Sequence, residues 1–422
     1  MLSAMLLNTK IIKTMFSKRR LRSFIFLMIS MLFYVGRISS LVSLRGSLPS
    51  LSSYPNSWKI SLRSFHSNDA SFKQYRTVFK SKRCTLVFSS PKDDFIVRRS
   101  DVEEFEVRGR EVLVKRDDQL RLDSGISGNK ARKMFWLNQI PTDKFPKNVI
   151  SHGGHQSNAL VSLAAICSKN RPNTQLHYYT KKIPRWLRNN PSGNFARALA
   201  LGTQMIELSN EDYETAFGGP AGKLEIPSCL DISMENALYI PQGGAVPLAE
   251  VGVEILAREI LEYVKNKSLD PEKIVVVTPS GTGTTSLFLA KHLHPEGVQV
   301  VTVPCIGDGE YLFRQMSNLQ RAATHSTVGE YPHILDGTTK YQFGKPDQEI
   351  LDIWREFEDI GLYVDLVYAP RAWQVLFENW EPKNPVLGGK KILYVHSGGI
   401  EGVSTQLTRY KHHGLIEPKQ TM

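Results

Sequence analysis

Cysteine is scarce and scattered in this chain. Cys84, Cys167, Cys229 and Cys305 show neither a CxxC pair nor a Cys/His spacing, which argues against a zinc site or a disulfide framework. Cys167 falls on the apolar side of a helical pattern and reads as a packing residue. Acidic residues are missing altogether from the first 68 positions, which hold ten Lys or Arg, so +10 of the net charge of +12 resides there and the remainder carries only +2. A nearly neutral body offers no basic face for phosphate backbones, so a nucleic-acid role is disfavoured. Long apolar runs are absent too: residues 24–35, about twelve positions, fall short of the ~20 that span a bilayer. That run follows Lys18-Arg19-Arg20-Leu21-Arg22, the layout of a signal-peptide n-region and h-region, and residues 39–67 are rich in Ser and Arg, as transit peptides are. The expectation is a targeting leader over residues 1–70 and an organellar destination. A signal followed by a transit segment points to a plastid bounded by extra membranes; a mitochondrial presequence is the simpler alternative, and an uncleaved anchor a third.

At 422 residues the chain is long for one domain and reads as two. No repeat, heptad or low-complexity tract follows the leader. Structure is expected to begin between Ser71 and Leu86, with a strand pair over residues 107–116. From position 147 to about 243 short apolar strands alternate with helical patterns, the mark of βαβ units and a parallel sheet. Gln242-Gly243-Gly244-Ala245-Val246-Pro247 is a glycine-proline break, a plausible hinge. The alternation then resumes with an amphipathic run over residues 249–265 and the apolar strands at 274–277, 298–303 and 391–395. The expected fold class is α/β with parallel sheets flanked by helices, residues 133–244 forming a smaller domain, and residues 71–132 with 245–422 a larger one.

Three motifs carry chemistry. In Ser127-Gly128-Asn129-Lys130-Ala131-Arg132-Lys133 an amine stands just after a glycine turn at the start of a periodic run, where it can form a Schiff base; a lysine opening a helix is also commonly a solvated charge. Ser151-His152-Gly153-Gly154-His155-Gln156-Ser157-Asn158 leads from a strand into an apolar helix, so its backbone N–H groups make an anion site suited to a carboxylate. Thr278-Pro279-Ser280-Gly281-Thr282-Gly283-Thr284-Thr285-Ser286 runs from a buried strand into a helix start, a nest of N–H groups and hydroxyls that binds phosphate. A Walker loop needs Gly-Lys before Ser or Thr, and here Gly283 is followed by Thr284. The dinucleotide pattern is incomplete because Ser286 stands where its last glycine belongs. A lysine-free cup suits a single phosphate monoester. A monoester cup with a turn-borne amine points to pyridoxal 5′-phosphate.

SGNKARK, SHGGHQSN, YIPQGGAVPLAEVG, TPSGTGTT, QFGKP, VDLVYAPRAW and ILYVHSGG occur in the order and approximate spacing of a known family. Over about residues 107–399 the chain resembles the D-cysteine desulfhydrase and 1-aminocyclopropane-1-carboxylate deaminase family, within the tryptophan synthase β-like, fold type II pyridoxal-phosphate enzymes. By that resemblance Lys130 is the Schiff-base lysine and Lys133 helps hold the phosphate in a cup of Gly281, Thr282, Gly283, Thr284 and Thr285. Asn158 bonds the cofactor's ring oxygen. Ser157 is the active-site serine, and the amides from Gln156 to Ala159 take the substrate carboxylate. Tyr368 lies near the substrate, Ser397 is the candidate partner of the pyridine nitrogen, and the protein is a homodimer.

Departures bear on the substrate. The deaminases carry a glutamate directly after the tyrosine that corresponds to Tyr368, and this chain has Ala369. Where they carry a tyrosine, it has Phe343, with Tyr341 two residues off. His155 replaces a frequently apolar residue and reads as a space-filler. A weaker electron sink disfavours ring opening and suits loss of a good β-leaving group. The expected activity is therefore α,β-elimination on a small amino acid, with D-cysteine giving pyruvate, ammonia and hydrogen sulfide. The alternatives are aminocyclopropane carboxylate deamination, an amino-acid dehydratase, or a cofactor-binding protein without catalysis.

Overall fold

The computed structural model describes residues 99–422, apart from 170–172, 219–226, 228–229, 231–235, 340 and 418–422, together with the backbones of three earlier strands. Those strands, β1 (Lys59–Phe65), β2 (Gln74–Lys80) and β3 (Thr85–Phe88), form an antiparallel sheet in sequence order. β1 falls inside the stretch read as leader; the rest of that stretch, and Cys84 and Cys229, lie outside the described residues.

The chain continues through a hairpin, β4 (Val102–Val107) and β5 (Arg110–Lys115), whose two turn residues, Arg108 and Gly109, have φ of 48° and 74°. Positive φ at both positions matches the turn twist to that of the strands. The strand pair thus starts five residues earlier than its apolar half announced, because β4 carries Glu103, Glu104 and Glu106 on an edge. Then come helices α1 (Gly128–Lys133) and α2 (Phe135–Asn138), and an alternating segment: β6 (Asn148–His152), α3 (Asn158–Ser168), β7 (Gln175–Lys181), α4 (Arg185–Asn189), α5 (Gly193–Ala200), β8 (Gln204–Leu208), α6 (Asn210–Phe217) and β9 (Ala237–Ile240). Its strands make a four-stranded, wholly parallel sheet in the order β8-β7-β6-β9.

After a tight turn at Gln242–Gly244 the chain forms α7 (Ala249–Asn266), β10 (Ile274–Ser280), α8 (Thr284–Leu293), β11 (Gln299–Pro304), α9 (Gly309–Thr324), β12 (His333–Ile334), α10 (Gln348–Asp359), α11 (Tyr368–Glu378), β13 (Lys391–Val395) and α12 (Val403–His412). The second sheet has six strands in the order β12-β11-β10-β13-β5-β4, parallel except for the hairpin. β10 is buried along its whole length, which explains its unbroken apolar reading. Its side chains alternate between two layers: Ile274 and Val276 join the core under α7 and α8, while Val275 and Val277 join the core around Trp354, Phe357 and Trp373 of α10 and α11.

One buried cluster fixes α1. Arg132, 2% exposed, donates to Asp117 at 2.8 and 3.1 Å and to Glu259 of α7 at 2.7 and 2.8 Å. Lys115, at the end of β5, donates to the same Glu259 at 2.6 Å, and Ser100 Oγ donates to Asp117 at 2.5 Å. Two cations thus face two carboxylates out of water. Close approach of α1 to α7 needs Gly252, where a Cβ would lie 2.0 Å from the Arg132 carbonyl oxygen. Removing one partner from such a cluster leaves a buried charge uncompensated. Arg132→Met is expected to cost about 3–5 kcal/mol in denaturant unfolding; a loss below about 1 kcal/mol would mean that the cluster is solvated.

Candidate active site

Lys130 and Lys133 stand three residues apart on α1, so they share one face, and both line a cavity of about 990 Å³. The cavity gathers the end of β10 and segments that follow strands of both sheets. Burial lowers the Lys130 amine to a pKa of about 8, against the opposing field of Asp365. Lys133, 3% exposed, is held well below the ordinary lysine value by burial and by its neighbour Lys130. The helix reaches this position because Gly128 has φ of 61° and a Cβ there would meet the Ser397 carbonyl oxygen at 2.3 Å. The Asn129 amide donates to that same carbonyl at 2.9 Å.

The glycine-threonine loop between β10 and α8 faces the amines. Gly283 caps α8 in the left-handed region at φ 68°, and a Cβ there would lie 2.3 Å from Met316. Only glycine folds the loop this way. Lys133 Nζ donates to Thr282 Oγ1 at 3.2 Å, and Thr285 Oγ1 donates to Asn129 Oδ1 at 2.6 Å. Two side-chain bonds thus tie the loop to α1. Beneath it Thr302 Oγ1 donates to Ser280 Oγ at 2.6 Å, and Ser286 Oγ stands 3.1 Å from Ser280 Oγ and 2.9 Å from the Gly283 carbonyl oxygen. The linker from the four-stranded sheet passes alongside: a Cβ on Gly243, φ 70°, would meet Thr282 at 3.2 Å.

The serine-bearing loop after β6 closes another wall. Ser157 Oγ caps α3, accepting from the Ala159 amide at 3.1 Å, and the Ser157 amide donates to the Gly154 carbonyl at 3.0 Å. Of the four amides expected to take a carboxylate, those of Ser157 and Ala159 are therefore engaged within the loop. The Gln156 side chain turns away to α5, accepting from the Asn194 amide at 2.9 Å and donating to the Ser192 carbonyl at 3.1 Å. Asn158 Oδ1 accepts from Asn194 Nδ2 at 2.7 Å, which leaves its own amide group toward Gly399. His155 lines the cavity; burial and then Arg409 lower its pKa, against Glu207.

Tyr368 opens α11 and its hydroxyl stands over the loop, 3.3 Å from where a Gly281 Cβ would be. Burial, with Cys305 and Asp365 nearby, raises its pKa. The Phe343 ring packs edge-on against it at 5.2 Å between centroids. Tyr341 points elsewhere, donating to the Val367 carbonyl at 2.9 Å. The Ser397 hydroxyl lines the cavity and is buried without a hydrogen-bond partner among the described residues. Lys130, Lys133, Gln156, Ser157, Asn158, Gly281, Thr282, Gly283, Thr284, Thr285, Tyr368 and Ser397 thus all line one cavity.

Two residues at or beside the site are given no role by the sequence reading, Asp365 although it lies inside VDLVYAPRAW and Tyr178 because it lies in no motif. Asp365 accepts from the amides of Val367, Tyr368 and Ala369 at 2.9, 2.6 and 3.1 Å, so it caps α11 and fixes Tyr368; an Asp just ahead of a helical pattern was the available signal. Burial raises its pKa against those three amides and His396. Tyr178 of β7 is fully buried and pushes its hydroxyl into the serine loop, 2.5 Å from where a Gly153 Cβ would stand. No short motif marks it, because only strand register brings it there. Among the described residues no group of His, Cys, Asp and Glu is arranged to hold a metal ion, and no helix is long and apolar enough to cross a membrane.

No family model matches the chain. It is 26% identical over 299 residues, 70% of this chain and 74% of the relative, to the mitochondrial bifunctional D-cysteine desulfhydrase/1-aminocyclopropane-1-carboxylate deaminase of Arabidopsis thaliana. It is 25% identical over 320 residues, 71% of this chain and 92% of the relative, to a putative 1-aminocyclopropane-1-carboxylate deaminase of Thermotoga maritima, and 27% identical over 298 residues, 70% and 86%, to one of Pyrococcus horikoshii. Among solved structures an ACC deaminase homologue superposes with a TM-score of 0.60 over 76% of this chain and 96% of its own, at 22% identity, a likeness of fold. In sequence the chain is thus similar to the D-cysteine desulfhydrase and 1-aminocyclopropane-1-carboxylate deaminase family, and in fold to an ACC deaminase homologue.

Proposed function

We propose that this protein is a lyase that binds pyridoxal 5′-phosphate and eliminates the β-substituent of a small amino acid, D-cysteine foremost, releasing pyruvate, ammonia and hydrogen sulfide. The observation that carries the reading is the half-buried Lys130, its amine lowered to a pKa of about 8, in one cavity with a lysine-free glycine-threonine cup. The residues fit the cofactor. An orphaned Ser397 hydroxyl offers a partner to a neutral ring nitrogen, the start of α8 offers amides and hydroxyls to a phosphate monoester, and Asn158 offers an amide to a ring oxygen. When bound, the cofactor supplies an aldehyde that links to an amine and an electron sink for the α-carbon.

The chain's own groups do the rest. Lys133 and the hydroxyls of Thr282, Thr284 and Thr285 hold the phosphate, and the amides of Gln156 and Asn158, the two of the expected four not engaged within the loop, orient the substrate carboxylate. The Lys130 amine or the Ser157 hydroxyl would take the α-proton of the substrate. Tyr368, locked by Asp365, stands beside the substrate. The β-sulfur then leaves as a thiolate, which is easy because a thiol's pKa is near 8.5, and water completes the products. Ala369, buried at 2% exposure, puts a methyl where the ring-opening relatives are expected to hold a carboxylate, so deamination of aminocyclopropane carboxylate ranks second. The family likeness extends to a homodimer, and the acid-free leader to delivery into a mitochondrion or plastid.

Two measurements test the reading. Lys130→Ala is expected to abolish both the absorption of bound cofactor and sulfide release; retention of both would exclude the assignment. A panel of small D- and L-amino acids, read by keto-acid formation, ranks the substrates: 2-oxobutanoate from the cyclopropane would put the deaminase activity first, and full cofactor absorption without turnover would make this a binding protein. In the cofactor-free protein, uptake should also follow the Lys130 proton. Because burial lowers that pKa to about 8, the uptake rate should rise with pH up to about 8 and level off above it. A rate still climbing toward 10.5, the ordinary lysine value, would show a solvated amine.

A further inference from the structure

The cavity has to hold the proposed cofactor as well as a small amino acid, and it extends past both. Its volume of about 990 Å³ lies at the upper end of the ~300–1,000 Å³ that accommodates drug-sized ligands. Burial orders it from inside to outside. Lys133, Thr284 and Thr285 at the inner end are almost fully buried, whereas Arg197 of α5, Arg409 of α12 and Trp186 of α4, which line the same cavity, are exposed.

The two arginines at that outer end have no carboxylate partner among the described residues; Arg409 reaches only Gln406 Oε1, at 3.5 Å. The nearby acids are committed elsewhere. Glu401 accepts from Ser127 Oγ at 3.1 Å, and Glu207 from Arg188 at 2.7 Å and the Ile183 amide at 2.9 Å. The field of Arg409 reaches His155, whose pKa is lowered by burial and then by that guanidinium, against Glu207. Trp186, 59% exposed, and Leu201 line the same cavity and present apolar surface. Exposed apolar surface and two unpaired guanidinium groups lining one cavity are the composition of a site for a short stem with an anionic end.

We infer that the outer end of the cavity is a subsite for an anionic substrate arm: the substrate class is an amino acid whose β-sulfur carries a short chain ending in a carboxylate or sulfonate. The inference rests on the lyase reading and extends it. The bond broken is the one from Cβ to sulfur; the electron pair leaves with the sulfur, which takes up a proton, and one water enters. S-carboxymethylcysteine would thus give pyruvate, ammonia and thioglycolate. Arg197 and Arg409 hold the departing arm, and Trp186 covers its methylene.

The test compares S-carboxymethylcysteine with S-carbamoylmethylcysteine, nearly equal in size and different in charge, as D-enantiomers on the holoenzyme. Expected is a kcat/KM about fivefold to tenfold higher for the acid, the scale of two exposed arginine–carboxylate pairs, shrinking as salt is raised. In the Arg197→Gln/Arg409→Gln protein, whose two changes are at exposed positions, the ratio should fall to about one. A ratio of one in the unaltered protein, or one that survives the double change, overturns the subsite. If neither thioether is turned over, calorimetric binding of the same pair to the same two proteins judges the subsite by the same ratio. Loss of turnover alone then counts against the lyase reading and not against the subsite.

Discussion

Burial of Arg132 between Asp117 and Glu259 is the constraint on which the site depends. A helix turns by about 100° per residue, so on α1 Lys130 and Lys133 share a face while Arg132, two residues after the first, points the opposite way. Anchoring Arg132 therefore aims both amines. α1 has only six residues, too few to be stable by itself, and its geometry comes from what it is fastened to: a buried carboxylate pair behind, the Ser397 carbonyl at its start and the threonine loop in front. Bringing four charges out of water is costly. The return is directional, since salt-bridged hydrogen bonds to two carboxylates leave the helix one rotation and one depth.

The same arrangement sets the electrostatics of the front face. Two amines share a cavity whose walls hold few countercharges, so desolvation dominates and both are pushed toward the neutral form. Asp365 is the carboxylate that opposes this at Lys130, and three backbone amides hold it in place. That carboxylate does two jobs through one geometry: it fixes the start of α11, and with it Tyr368, and it keeps Lys130 from falling further. Replacing it would disturb a position and a charge together, which is why Ala369 alone does not describe the acid content of this cavity.

Much of this was legible in the sequence because it is local. A glycine that must adopt positive φ, as at Gly128 and Gly283, announces its turn, and a strand buried on both faces, as β10, announces itself by an unbroken apolar run. The three motifs are contiguous, so their residues could be named without knowing how they meet. Partners from distant segments were not legible. Glu259 reads as one charge among several on an amphipathic helix, yet it closes the cluster behind Arg132 across 127 positions. Tyr178 reads as a strand residue, and only the register of β7 against β6 sends it under the serine loop. The edge strand β4, with its acids, hid half of a hairpin, and Arg197 and Arg409 belong to no motif at all.

The division of charge along the cavity also explains how a cup without lysine selects its ligand. Behind the glycine-threonine loop the polar groups are hydroxyls that satisfy one another, Thr302 to Ser280 to Ser286, so no cation stands beneath it. Its attraction for anions comes from oriented amides and the start of α8, a field that fades within about one turn. A single phosphoryl group fits within that reach, whereas a second or third would extend beyond it toward groups that carry no charge to meet it. Lys133 reaches the loop through Thr282, but burial favours its neutral form until an anion arrives. An arriving dianion would raise that pKa and bring a proton onto the amine, so that the charge appears only with the ligand that requires it. The outer arginines are different: exposed and permanently charged, they attract an anion whatever the inner end holds, and the two ends of one cavity can therefore recognise two anions without competing for either.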